Sequence, residues 1–261
     1  MTMNVHQSGF TVRHRQSRKF GDFEIDCVSR ADLVEDCISD INRGSGIPRL
    51  IFDANGHALS LARTDEKYKV AAVQADIIHA DGGFLVSLSK FFSGPRIPER
   101  SATTDMIHDF AEKFQKTRNS FYLLGSDEET NLECAKKLLT LYPNLRIVGR
   151  HHGFFTDGEL DQIASEINAC KPDVVWVGLG KPREQMVSLA LKKKINATWI
   201  ITCGGCFNFI TGAYSRAPKW MQDNNIEWLH RLATNPRKLF FRYLVTTPHA
   251  LWISLVSSIK Q

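Results

Sequence analysis

The sequence predicts an α/β protein: a Rossmann-like, mostly parallel sheet with helices on both faces, plus a C-terminal helical appendage rich in basic and aromatic residues. Three observations predict it. Short apolar runs alternate with stretches of helical length, the pattern of βαβ units. Most of these runs end in glycine, Asp or Thr, and the carboxyl ends of strands are where an open sheet leaves room for a ligand. Finally, residues 212–261 hold seven Lys/Arg against two acids, so the whole net charge of +5 resides in that segment.

Taken in order, residues 1–20 are polar and basic (Arg13, Arg15, Arg18, Lys19) and read as a flexible arm, without the apolar stretch of an export signal. Residues 23–28 alternate as a short strand. Ser29-Arg30-Ala31-Asp32 has the form of a capping box, opening a helix to about Asn42. A strand over 49–53 ends in the polar turn Asp53-Ala54-Asn55-Gly56 and enters another helix. A strand over 76–80 ends in Asp81-Gly82-Gly83. Residues 104–117 place Met106, Ile107, Phe110, Ala111 and Phe114 on one helical stripe. Strands over 121–125 and 145–149 lead into helices over 127–141 and 157–169. The strand over 174–178 runs to Pro182 at a helix start, where a missing N–H costs nothing. The strand over 197–202 reaches Gly204-Gly205.

Beyond it, Arg216-Ala217-Pro218 opens one helix carrying Trp220, Glu227, Trp228 and Arg231. Residues 236–261 place apolar side chains at near-helical spacing, interrupted by Pro248, and read as a helix pair. That pair packs on the core, rests on a membrane with Arg237, Lys238 and Arg242 at the headgroups, or does both on opposite faces. The division is an arm over 1–20, a catalytic core over 21–215 and an appendage over 216–261.

Hydrophobic content of 43% and charged content of 23% are ordinary for a globular domain. No run approaches the roughly 18 apolar residues that span a bilayer. Six scattered cysteines read as reduced, buried residues of a cytoplasmic protein. Basic charge mixed with aromatics suits a phosphate ligand or an anionic membrane surface, and no nucleic-acid-binding motif accompanies it.

Asp81 is the leading catalytic candidate, because a carboxylate directly after an apolar strand lies at the carboxyl edge of the sheet, where partial burial favours a base. A turn aspartate before two glycines is the plainer reading. Asp53 and Asn55 end the neighbouring strand and suit sugar hydroxyls, or a helix N-cap. Gly178-Leu179-Gly180-Lys181-Pro182-Arg183-Glu184-Gln185 sets glycines, two cations and a helix N-terminus together, which suits a nucleotide diphosphate. In it, Glu184 and Gln185 suit sugar hydroxyls or simply solvate the first turn. Cys203-Gly204-Gly205-Cys206 lacks a second pair at zinc spacing, so its glycines matter more than its sulfurs. His79, His151 and His152 make no ligand spacing and read as structural or solvent-facing.

Ala80-Asp81-Gly82, Phe121-Tyr122-Leu123-Leu124-Gly125, Tyr142-Pro143 with Ile147-Val148-Gly149 and Gly153-Phe154-Phe155, Gly178-Leu179-Gly180-x-Pro182, Gly204-Gly205-x-Phe207, Arg216-Ala217-Pro218 and Glu227-Trp228-x-x-Arg231-Leu232 occur in this order. The set resembles the WecG/TagA/CpsF glycosyltransferases over about residues 22–243. The resemblance implies an inverting transfer, without metal or other cofactor, from a UDP-sugar to a polyprenyl-diphosphate-linked saccharide at the inner face of a bacterial membrane, in exopolysaccharide or surface-glycan assembly. It implies that Asp81 is the general base and that Asn55 is the asparagine of the family's Thr-x-Asn. Arg231 and Arg237 or Arg242 would meet the lipid diphosphate, and Arg100, Gly178, Gly180, Pro182, Glu184, Gln185, Gly204, Gly205 and Arg216 would bind substrate. The chain departs from the family pattern at Asp53, which replaces the threonine of Thr-x-Asn, and at Thr103, which replaces the glycine of Arg-x-x-Gly-x-Asp. It departs again at Arg183-Glu184-Gln185, where Lys-Gln-Glu is usual. Either Asp81 or Asp53 fits the base. A nicotinamide oxidoreductase lacks its strand-linked glycine fingerprint here. A membrane-docked, nucleotide-binding scaffold is the other reading, and self-association is left open.

Overall fold

The computed structural model describes residues 15–44, 46–224, 226–234 and 236–259, with the side chains of 223, 231, 237–243, 258 and 259 outside that description. The chain opens with β1 (Ser17–Phe20) and β2 (Phe23–Asp26), an antiparallel hairpin. Then come α1 (Arg30–Arg43), β3 (Arg49–Ala54), α2 (Gly56–Thr64), α3 (Glu66–Ala72), β4 (Ile77–Ala80), α4 (Gly83–Phe91) and α5 (Thr103–Thr117). The second half holds β5 (Ser120–Gly125), α6 (Glu128–Leu141), β6 (Arg146–His151), α7 (Leu160–Cys170), β7 (Val174–Gly178), α8 (Arg183–Lys192) and β8 (Trp199–Thr202). It closes with α9 (Cys206–Thr211), α10 (Lys219–Asp223), α11 (Glu227–Thr234) and α12 (Pro236–Ile259).

Six strands form one parallel sheet in the order β4-β3-β8-β7-β5-β6. This is the expected α/β architecture. Both faces are covered, which is why the strands read as continuous apolar runs. On one face Trp176 and Trp199 pack with Phe110, Phe114 and Phe121 of α5 and β5; Phe110 meets Trp176 edge-on at 5.6 Å between ring centres. On the other, Leu50, Phe52, Tyr122 and Leu124 pack beneath α7 and α8. The hairpin, α2, α3 and α4 enclose a third cluster around Phe20, Leu59 and Tyr68. The expected capping box is present at Ser29, whose side chain accepts from the Asp32 N–H while Asp32 reaches back to the Ser29 N–H.

Three expectations are corrected. The arm does not extend to residue 20: residues 17–20 are β1, because Phe20 is fully buried and the buried Arg18 donates to the carbonyls of Ser89, Phe92, Ser93 and Pro95. Residues 1–14 lie outside the described residues. The helix expected after Pro218 is two helices. Asn224 ends α10 by donating its side-chain amide to the Trp220 carbonyl, since asparagine bonds nearby backbone rather than continuing a helix. The expected break at Pro248 is absent, and α12 runs through it as one helix. Packing offsets the roughly 3 kcal/mol that an internal proline costs: Ala250 sits over Gly56, Ile253 over Gly21, and Ser60 Oγ bonds His249 Nδ1 at 2.9 Å. The six cysteines are free thiols, as expected.

Gly125 ends β5 at φ +143°, and a Cβ there would lie 2.3 Å from the Gly178 carbonyl oxygen. Because that obstacle is backbone at the centre of the sheet, Gly125→Ala is expected to lose at least about 2 kcal/mol of stability. Urea unfolding checks this, and a loss under about 0.5 kcal/mol would show that the two strands separate freely.

Candidate active site

The carboxyl ends of β3, β4, β5, β7 and β8 surround a cavity of about 860 Å³. Its position at the switch in strand order is where open parallel sheets receive ligands. Asp81 follows β4 directly, and its N–H and that of Gly82 both donate to the Ala54 carbonyl, at 2.9 and 3.0 Å. The base candidate is thereby tied to the neighbouring strand. Asn55 is the N-cap of α2: its Oδ1 accepts from the Ala58 N–H at 3.1 Å. Its amide then points the other way, donating to Asp53 Oδ2 at 3.1 Å and to Asp81 Oδ2 at 3.3 Å. The N-cap reading of Asn55 is met by its oxygen, while its amide nitrogen is engaged by the two aspartates.

The two aspartates differ in their partners. Asp53 is buried, takes the Lys181 ammonium at 2.5 Å and accepts from Thr202 Oγ at 3.2 Å. Lys181 also lies 3.5 Å from Glu184. Burial works against the lysine's charge, but the carboxylates of Asp53 and Glu184 outweigh it and raise its pKa above the ordinary lysine range. For Glu184 burial wins, pushing its carboxyl up, with Lys181 pulling the other way. Asp81 is less enclosed, with 17% of its side chain exposed, and it lines the cavity.

Arg100 holds Asp81 from behind. Its Nε donates to the Asp81 carbonyl at 2.8 Å, its Nη2 lies 3.7 Å from Asp81 Oδ1, and its Nη1 donates to Glu227 at 2.7 Å. Burial opposes the guanidinium charge, and Asp81 and Glu227 together more than restore it.

The structure thus brings together Asp53, Asn55, Asp81 and Arg100, with Gly178, Gly180, Gly204 and Gly205 on the opposite wall. It moves others away from a ligand-facing place. Glu184 and Gln185 are fully buried, and Glu184 accepts from the N–H groups of Gly180 and Gly204 at 3.1 and 2.9 Å. Glu184 lies in the cavity floor and Gln185 is buried outside the lining, and neither solvates the first turn. Pro182 caps α8. Of the two expected diphosphate cations, Lys181 is paired as described, and Arg183 donates to the carbonyls of Gly153 and Phe155 and stacks on the Phe155 ring at 4.5 Å. Arg216 lies apart from the cavity wall, on Asp105 at 2.9 Å and on Gln222 at 2.7 Å. The side chains of Arg231, Arg237 and Arg242 lie outside the described residues. His79 is not solvent-facing: it is fully buried beneath Asp53, and burial lowers its pKa.

Sequence reasoning missed His57, Tyr214 and Leu251 as wall residues, and gave Glu227 no role. Glu227 carried a signal, being one of two acids in a basic stretch. Tyr214 and Leu251 carried none, since they come to the wall from distant elements.

The family model described as "Glycosyl transferase WecG/TagA/CpsF family" matches residues 18–261. The chain is 28% identical over 190 residues to the N-acetylglucosaminyldiphosphoundecaprenol N-acetyl-beta-D-mannosaminyltransferase of Bacillus subtilis (strain 168), covering 73% of each chain. It is 26% identical over 209 residues to the protein of the same name in Bacillus spizizenii (strain ATCC 23059 / NRRL B-14472 / W23), covering 80% of this chain and 78% of that one.

Removing one member of a buried ion pair strands the other. Lys181→Met is therefore expected to cost about 3–5 kcal/mol, while Lys181→Met combined with Asp53→Asn costs less than the two single losses added. Chemical denaturation of the three variants measures both; strictly additive losses would mean that the pair is not coupled.

Proposed function

This chain belongs to the WecG/TagA/CpsF family of glycosyl transferases, and on that premise we propose that it moves an N-acetylhexosamine from a UDP-sugar, with inversion and without metal, onto a polyprenyl-diphosphate-linked N-acetylglucosamine. The acceptor class and the sugar type follow the names of its Bacillus relatives. The observation that carries the reading is the contrast between the two carboxylates. Both line the cavity, but Asp53 is buried and engaged by Lys181 and Thr202, whereas Asp81 is partly exposed with its orientation set by Asn55 and Arg100.

In this reading Asp81 takes the proton from the acceptor hydroxyl as that oxygen attacks the anomeric carbon from the face opposite the leaving UDP. Asn55 and Arg100 fix the carboxylate for that transfer. The N-terminus of α8, approached through Gly178 and Gly180, contributes partial positive charge toward the departing diphosphate. The reading assigns Arg231 and Arg237 or Arg242 to the acceptor diphosphate, following the family resemblance. Arg216, paired with Asp105, serves to hold α10 near the core instead.

A lipid-linked acceptor calls for work at a membrane surface, and α12 supports that reading. Leu244, Val245, Leu251, Trp252 and Leu255 form one exposed apolar stripe, opposite the buried Ala250 and Ile253. Among the described residues no helix is long and apolar enough to cross a membrane. The stripe therefore suits lying in the headgroup layer, at the inner face of the cell membrane.

Transfer from UDP-N-acetylmannosamine and other UDP-sugars to a short-chain polyprenyl-diphosphate N-acetylglucosamine, with EDTA present, tests the chemistry. Turnover is expected to survive EDTA and to fall by about 10²–10⁴-fold in Asp81→Asn; full activity in that variant would remove Asp81 from the role of base. Trp252→Glu is expected to weaken sedimentation with anionic vesicles while leaving the fold intact, and unchanged sedimentation would remove the α12 stripe from the membrane contact.

A further inference from the structure

We propose that Glu227 is a positioning residue for the transfer: its buried carboxylate holds Arg100, and through Arg100 the orientation and charge environment of Asp81. The inference rests on the reading of Asp81 as base. Glu227 begins α11, yet it is 3% exposed and lies against a guanidinium that belongs to the segment between α4 and α5. Carboxylates are almost never buried this far without a fixed partner.

Arg100 has two duties that compete for its donors. It grips Asp81 through Nε to the main-chain oxygen and Nη2 near the side chain, and it grips Glu227 through Nη1. The geometry is a three-member row, acid–cation–acid, in which Glu227 draws the guanidinium to one side. Without the Glu227 charge, the pull that draws Arg100 away from Asp81 is weakened, Nη2 can close from 3.7 Å toward Asp81 Oδ1, and a tight ion pair would make Asp81 a weaker base. Arg216 lies 4.0 Å from the other Glu227 oxygen and 2.9 Å from Asp105, so Glu227 also ties the start of α11 to α5.

Among the described residues, Arg100, Asp53 and His79 are charged or titratable groups that act on Asp81, with Lys181 behind Asp53, Glu227 behind Arg100 and His57 on the same cavity wall. Removing the negative charge of Glu227 leaves the field at Asp81 more positive. Its ionised form is then favoured, and the acid limb of the rate profile moves to lower pH.

The test is the pH dependence of kcat and KM in Glu227→Gln, Glu227→Asp and the unaltered protein, assayed with the same UDP-sugar and acceptor, with unfolding midpoints measured alongside. Glu227→Gln is expected to lower kcat by about tenfold, to leave the donor KM within about twofold, and to shift the acid limb downward. Glu227→Asp keeps the charge and is expected to leave the limb in place. An unshifted limb in a folded Glu227→Gln, or an equal shift in both variants, overturns the proposal. Should Glu227→Gln fail to fold, Glu227→Asp decides: reduced kcat with the limb in place supports the positioning role, and unaltered kcat overturns it. Full activity of Asp81→Asn, by contrast, would sink the reading of the base rather than the inference about Glu227.

Discussion

The buried pair of Lys181 and Asp53 sets the geometry of the sheet's carboxyl edge. A charge removed from water costs several kcal/mol unless a partner and further hydrogen bonds replace its solvent. Lys181 meets this requirement by lying between Asp53 at the end of β3 and Glu184 in the first turn of α8. Glu184 in turn takes the N–H groups of Gly180 and Gly204. One cation thus links the loops after β3, β7 and β8, which are the loops that make the cavity. A neutral side chain at 181 would leave two carboxylates facing each other, and the loops would have no common anchor.

The same pair determines which aspartate is available. With Asp53 neutralised from one side by Lys181, the Asn55 amide can bridge it to Asp81 without bringing two unscreened carboxylates together. The departure from the family's Thr-x-Asn therefore sits comfortably in this protein. Asp53 replaces a hydroxyl with a charge, and a lysine two residues before Arg183 is buried against that charge. Asp53, Lys181 and Glu184 in the floor engage one another, and the wall above them is left to Asp81, the glycines and the rim residues.

Much of this was legible in the sequence, because it is written in local pattern. The strand order's ingredients, the carboxyl-edge placement of Asp81 and Asn55, and the capping box at Ser29 all follow from periodicity and turn chemistry. What sequence could not give depends on partners distant in the chain. Lys181 and Arg183 sit beside a helix N-terminus and so resembled phosphate ligands, but Asp53 lies 128 residues from Lys181, and the carbonyls that hold Arg183 belong to another loop. Phe20 and Arg18 resembled the end of an arm for the same reason: the carbonyls and core that hold them come from α4 and the loop after it. The proline in α12 misled in the opposite direction, since local propensity argued for a break and tertiary packing on α2 and β1 prevailed.

That packing also explains how one helix can serve two environments. Ala250, Ile253 and the Ser60–His249 contact fix one side of α12 to the core, so the opposite stripe is presented at a set angle rather than on a loose tether. A loosely attached amphipathic helix would reach a membrane, but its orientation would be uncoupled from the cavity. Here Thr246, Thr247 and Leu251 reach the cavity wall from the same helix whose Trp252 points outward. Under the proposed function, an acceptor whose lipid lies in the membrane and whose sugar is to reach Asp81 would need that fixed relation. The relation in turn requires glycine at 21, where φ is +61° and a Cβ would lie 2.6 Å from Ile253. The close approach that holds α12 to the core is therefore also what sets the distance between its exposed apolar stripe and Asp81.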